Sequence, residues 1–90
     1  MRLEFKTEAE DDLVRIFEFN MQRSEAWARR VESRLLDRCE ELLRTPCPGR
    51  ALKEANTFRV SVTDIQYVID YQLAEDLILI VRILSTREIR

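Results

Sequence analysis

Phe58-Arg59-Val60-Ser61-Val62-Thr63 alternates apolar and polar residues, and Ile65, Tyr67, Ile69 and Tyr71 then alternate with Gln66, Val68 and Asp70. A period of two is the pattern of a strand that turns one face to a core. Ala74-Glu75-Asp76 reads as a tight turn, and Leu77 to Leu84 follows, almost continuously apolar and broken only by Arg82. Such a run predicts a central strand covered on both faces. Three strands in succession with short connections form an antiparallel meander, and a meander needs something to cover its apolar face.

The cover lies upstream. Thr7-Glu8-Ala9-Glu10 has the form of a capping box, with Thr7 as N-cap and acids in the first turns where the helix dipole favours them. Ala9, Leu13, Ile16, Phe17 and Asn20 share a face, which predicts a helix from about Glu8 to about Gln22. Ser24 is the next N-cap, and Trp27, Val31, Leu35, Cys39 and Leu42 recur at helical spacing until Thr45-Pro46-Cys47-Pro48-Gly49 stops the helix near Arg44. Two amphipathic helices joined by two or three residues make an antiparallel hairpin. Ahead of them, Arg2-Leu3-Glu4-Phe5-Lys6 alternates as a short strand. The expected fold is therefore α+β: an N-terminal strand, a two-helix hairpin, then a three-stranded antiparallel meander. The helices are expected on one face of a four-stranded sheet, in one domain over residues 1–90.

Composition narrows the function classes. Ninety residues with 46% hydrophobic content suit one small folded core rather than a disordered chain. The apolar run Leu77 to Val81 is far shorter than the ~20 residues of a membrane span. Met1-Arg2-Leu3-Glu4 leads straight into alternating charge, without the form of a signal peptide. Two cysteines are too few for a disulfide scaffold and point to the cytoplasm. There is no histidine, which removes Ser-His and Cys-His nucleophile pairs and most zinc sites. No metal or other cofactor is implied. A net charge of −2 lacks the basic excess of most nucleic-acid-binding domains, although Arg82, Arg87 and Arg90 against Glu88 make the C-terminal end locally basic.

Taken together, the Thr7-Glu8-Ala9-Glu10-Asp11-Asp12-Leu13 opening, the helical hairpin, Pro48-Gly49-Arg50, Tyr67-Val68-Ile69-Asp70-Tyr71 and Val81-Arg82-Ile83-Leu84-Ser85-Thr86-Arg87-Glu88 resemble the RelE/ParE toxin superfamily. The likeness is to its ParE-like "plasmid stabilisation" branch. The tyrosine strand is similar to the family's Tyr-x-x-x-Tyr, and the closing stretch to its Leu-Arg-Ile-x-His-x-Arg-Glu, with Ser85 where the family often has His. The resemblance implies the toxin of a bacterial type II toxin-antitoxin system, neutralised in a hetero-oligomer by a cognate antitoxin. ParE-like members inhibit DNA gyrase by binding; RelE-like members cut messenger RNA in the ribosome with a cluster of lysines and arginines, often with a terminal tyrosine. This chain has only Lys6 and Lys53, and nothing aromatic after Tyr71. The favoured expectation is therefore a gyrase-binding toxin, with a ribosome-dependent endoribonuclease, or a toxin that keeps only antitoxin binding, as alternatives.

The candidate residues for target or antitoxin binding are Arg59, Arg82, Ser85, Arg87, Glu88 and Arg90; no catalytic residue is assigned. Arg82 has two readings: an ion pair with a carboxylate such as Asp70 or Glu88, or a place with Arg59 and Arg87 on an anion-binding surface. Asp70 is read first as an ion-pair partner. Arg30, Arg34 and Arg38 form a row along the second helix and read as a solvated face, with Glu25–Arg29 as an i,i+4 pair. Trp27 and Cys39 are assigned to the core, and Cys47 has no neighbouring base to activate it. Tyr67 and Tyr71 are expected in the core with hydroxyls at its rim.

Overall fold

The computed structural model describes residues 1–45 and 49–89; Pro46, Cys47, Pro48 and Arg90 lie outside the described residues. Its elements are β1 (Arg2–Phe5), α1 (Thr7–Met21), α2 (Glu25–Arg44), β2 (Arg50–Ala51), β3 (Thr57–Val62), β4 (Tyr67–Ala74) and β5 (Leu77–Ser85). The expected strand, helical hairpin and meander are all present. The sheet has five strands in the order β1-β5-β4-β3-β2 rather than four, because Arg50 and Ala51 pair with Arg59 and Phe58 at the β3 edge. It is mixed: β1 runs parallel to β5, and the later strands are antiparallel.

The helix starts differ from each other for a physical reason. Ser24 caps α2 as expected, its hydroxyl accepting from the Trp27 amide at 3.0 Å. Thr7, in contrast, is already helical. Lys6 occupies the cap position with no side-chain bond, and its carbonyl accepts from the Ala9 and Glu10 amides. The Lys6 amide donates to the Ile80 carbonyl, so the end of the β1 pairing itself launches the helix.

Ile65 and Gln66 belong to the β3–β4 turn rather than to the strand. Gln66 has φ 60°, the left-handed region, which breaks the ladder before Tyr67. Gly49 has its own constraint: a Cβ there would run into the Arg59 carbonyl and come within 2.6 Å of Val60 Cγ1. Its amide donates to the Tyr71 hydroxyl at 2.7 Å, which draws the chain against the β3 edge.

The core lies between the hairpin and one sheet face. Val31, Leu35, Cys39 and Leu42 of α2 and Ala9 and Ile16 of α1 close over Val60, Ile69, Tyr71, Ile78, Ile80 and Ile83. Cys39 is fully buried, and burial pushes its thiol up to about 12. β5 is central, but covered less fully than its apolar run predicts. Ile78, Ile80 and Ile83 are wholly buried, while Leu77, Leu79, Val81 and Leu84 are half-buried on the face away from the helices. Among the described residues no helix is long and apolar enough to cross a membrane.

Candidate partner-binding site

Two of the candidate residues, Arg82 and Ser85, lie on the second half of β5, where the sheet changes character. β1 accompanies β5 only from Leu77 to Ile80, which leaves later β5 amides without a strand on that side. The register on β4 also shifts there: Tyr71 faces Ile80 and Asp70 faces Arg82, so Val81 is the extra residue of a bulge. Asp12 of α1 closes the gap, accepting the Ile83 amide at 2.9 Å.

The pairing places Arg59, Asp70 and Arg82 side by side across three strands. Arg59 grips Asp70 through Nε at 2.6 Å and Nη2 at 2.9 Å, with both side chains largely buried. Arg82 leaves that row and grips Asp12, Nε to Oδ2 at 2.7 Å and Nη2 to Oδ1 at 3.0 Å. Burial pushes the Asp12 carboxyl upward. The hydrogen bonds from Arg82 and the Ile83 amide, with the charges of Arg82 and the bond from Arg15, outweigh that and hold it below the usual carboxylate range. Arg15 bridges onward to Glu88 at 2.9 Å and back to Asp12 at 3.3 Å. Arg82 and Glu88 therefore belong to one chain of alternating charge, and Arg82 pairs with neither of the two carboxylates expected for it.

A cleft of about 690 Å³ opens at the opposite end of the hairpin, between the α1–α2 turn, the β3–β4 turn and the residues just after β5. Trp27 forms a wall. Its Nε1 donates to Asn20 Oδ1 at 2.9 Å, and Asn20 Nδ2 in turn donates to the Tyr67 hydroxyl at 3.1 Å and the Ile16 carbonyl at 2.8 Å. The buried amide thus fixes the indole against the strand tyrosine. The Arg23 guanidinium lies over the indole, its Cζ 4.6 Å from the ring centroid. Asp64 contributes a carboxylate to the lining, but Arg34 holds it bidentately at 2.8 and 2.9 Å and lowers its pKa chiefly through those bonds.

The candidates therefore divide. Ser85 and Arg87 line the cleft. Arg82 and Glu88 join the α1 network, Arg59 pairs with Asp70, and Arg90, like Cys47 and Pro48, lies outside the described residues. Trp27 proves to be half-buried at the edge of the core instead of within it. Tyr67 and Tyr71 are buried, with hydroxyls bonded to Asn20 and the Gly49 amide. The row on α2 is only partly solvated, since Arg34 reaches Asp64, and the Glu25–Arg29 pair forms at 2.8 Å. Asp12 and Arg23 carry no expectation of their own from the sequence, and Asn20 is expected only as part of the buried face of the first helix. The signal for Asp12 was present: with Ala9, Ile16 and Asn20 it makes a stripe at helical spacing, and an acid on an apolar stripe needs a cation.

The fold is thus a helical hairpin over a mixed sheet, with Arg59 and Arg82 each paired to a carboxylate and a cleft that carries Arg23, Arg87 and Trp27. A family model for the ParE toxin of the type II toxin-antitoxin system parDE matches residues 3–90, and the chain belongs to that family. It is thus a type II toxin, and an antitoxin is its partner. No curated protein sequence matches it. Among solved structures, it superposes on a chain of the chromosomal ParDE system of P. aeruginosa with TM-score 0.83 and 16% identity, covering 94% of this chain and 95% of that one. The isolated E. coli RelE toxin superposes with TM-score 0.68 and 13% identity, over 92% and 81%. At these identities the likeness is one of fold.

Proposed function

We propose that this toxin acts by binding, with DNA gyrase as its target, rather than by cutting RNA. The observation that carries the reading is the state of the two strand arginines. Cleaving a phosphodiester through its 2′-hydroxyl requires groups that activate the nucleophile, stabilise the phosphorane and protonate the leaving oxygen. Arg59, Arg82 and Arg87 have the right charge for the middle task, and of these Arg59 and Arg82 lie on the strands β3 and β5. Each of those two is already held by both oxygens of a carboxylate, Asp70 and Asp12 respectively. A phosphate would have to displace those carboxylates. With no histidine and two lysines, the sequence also offers few groups for the acid and base roles.

The reading takes residues 1–90 as one toxin domain working in the cytoplasm, where a chain with two cysteines and no disulfide scaffold is at home. Purified toxin added to purified gyrase tests it. Loss of supercoiling, or accumulation of cleaved DNA, is the expected result. Full supercoiling activity at micromolar toxin would rule gyrase out.

A further inference from the structure

The cleft beside Trp27 differs from the rest of the surface in its hydrogen-bonding balance. Arg23 and Arg87 both line it, and neither makes an ion pair among the described residues. Tyr67 lines it too; its hydroxyl accepts from Asn20, and the hydroxyl's own proton has no acceptor among the described residues. Ser85 and Thr86 add two more hydroxyls. On the acceptor side Asp64 is tied up by Arg34 and the Asn20 carbonyl by Trp27, while the neutral amides of Gln22 and Gln66 add donors and acceptors alike. The lining is therefore rich in free donors, with two positive charges, and its charged acceptor is engaged. Beside these donors Phe19 is 61% exposed, an aromatic ring with no cover.

From this juxtaposition we infer that the cleft receives, from the antitoxin, a carboxylate side chain seated between Arg23 and Arg87 and followed by an apolar residue that covers Phe19. Charge complementarity sets the first half of the match. A carboxylate is acceptor-only and takes several donors at once, as two guanidiniums and a phenol offer. The exposed ring sets the second half, since covering an aromatic surface supplies affinity that a charge pair at a rim does not. The volume, about 690 Å³, admits a few side chains of a short segment rather than a folded surface. The inference rests on the antitoxin being the partner that family membership implies, and it is independent of the identity of the target.

The test measures affinity of the full-length toxin for purified full-length antitoxin across a salt series. Arg23→Ala combined with Arg87→Ala is expected to weaken binding about 10- to 100-fold, because each removes a charge-assisted contact. The double variant should also show a shallower salt dependence. Arg38→Ala combined with Arg44→Ala removes the same charge away from the cleft and should change affinity less than about threefold. Melting curves establish that every variant is folded. Neutralising the antitoxin's acids one at a time, Glu→Gln or Asp→Asn, should uncover one whose loss weakens wild type and leaves the double variant unaffected. Equal effects of the two double variants, or the absence of any coupled acid, would overturn the inference. So would cleft variants that bind antitoxin normally and lose only inhibition of gyrase, which would assign the cleft to the target. A wild-type toxin that leaves gyrase untouched while the antitoxin pattern holds would remove gyrase as target and uphold the cleft assignment.

Discussion

Replacing Asp12 should unfold the toxin's C-terminal half more readily than any other single change to a charged residue of α1. The carboxylate is 5% exposed and accepts from the Arg82 and Arg15 guanidiniums and the Ile83 amide. Asp12→Ala leaves the Ile83 amide without an acceptor at a β5 edge no strand covers, a penalty of about 1–3 kcal/mol. Breaking a fully buried ion pair costs about 3–5 kcal/mol. Arg82, however, is 44% exposed and can turn to water, so its share falls to about 1 kcal/mol. The sum is about 2–4 kcal/mol, a large fraction of the roughly 5–13 kcal/mol expected for a chain of this size. A melting temperature lower by about 10–30 °C corresponds to it. Asp12→Asn keeps an oxygen for the amide and should lose only about 1–2 kcal/mol. Urea titration followed by Trp27 fluorescence and circular dichroism measures both. The pH dependence has a definite sign. Asp12 has a folded pKa depressed below its ordinary 3.8, so its contribution is complete above about pH 5, declines as pH falls below 3.8 and is lost as pH falls through the lower folded value. The gap between wild type and Asp12→Asn should therefore close in acid. An Asp12→Ala protein within about 0.5 kcal/mol of wild type, or a gap that widens as pH falls below the ordinary carboxylate range, would refute the reasoning.

Other outcomes follow from the same geometry. Arg59→Ala strands the largely buried Asp70 and should cost about 3–5 kcal/mol, whereas Arg59→Met with Asp70→Leu should recover most of that in a denaturation series. Trp27→Phe removes the donor that satisfies Asn20 and should cost about 1–2 kcal/mol by thermal melt, beyond the small change in apolar volume. Gly49→Ala should destabilise by about 1–3 kcal/mol, because the new methyl meets the Arg59 carbonyl and Val60. In a Cys47→Ser background, the Cys39 thiol, buried and with its pKa pushed up to about 12, should resist a thiol reagent at pH 8 until urea unfolds the chain.

Elements with a strong period were legible in the sequence: the two helices, the strand meander and the Glu75-Asp76 turn follow from local pattern. Less legible was what long-range pairing decides. The parallel seating of Arg2–Phe5 against β5 joins residues some 75 positions apart, and no local signal carries it. The two-residue strand Arg50–Ala51 is too short to show a period, and only the β3 edge makes it a strand. Arg82 was visible as an anomaly because a charge in an apolar run demands a partner. Its partner could not be chosen from sequence, since the bulge at Val81 and the end of β1 together bring α1 within reach. Ser85 and Arg87 were found through a motif-like closing stretch, but their neighbours Arg23 and Asn20 come from the helical turn. An arginine in a polar connection and an asparagine at a helix end have ordinary explanations until the fold sets them beside Tyr67.

The claim that this toxin binds rather than cuts is tested most directly by stoichiometry. Translating ribosomes and purified gyrase are each titrated with wild-type toxin, with message integrity read by primer extension and supercoiling read on gels. Binding predicts intact message at every concentration and gyrase inhibition that saturates near equimolar toxin. Codon-specific cleavage of ribosome-bound message by toxin at a concentration far below that of the ribosomes, with supercoiling unaffected, would contradict the account.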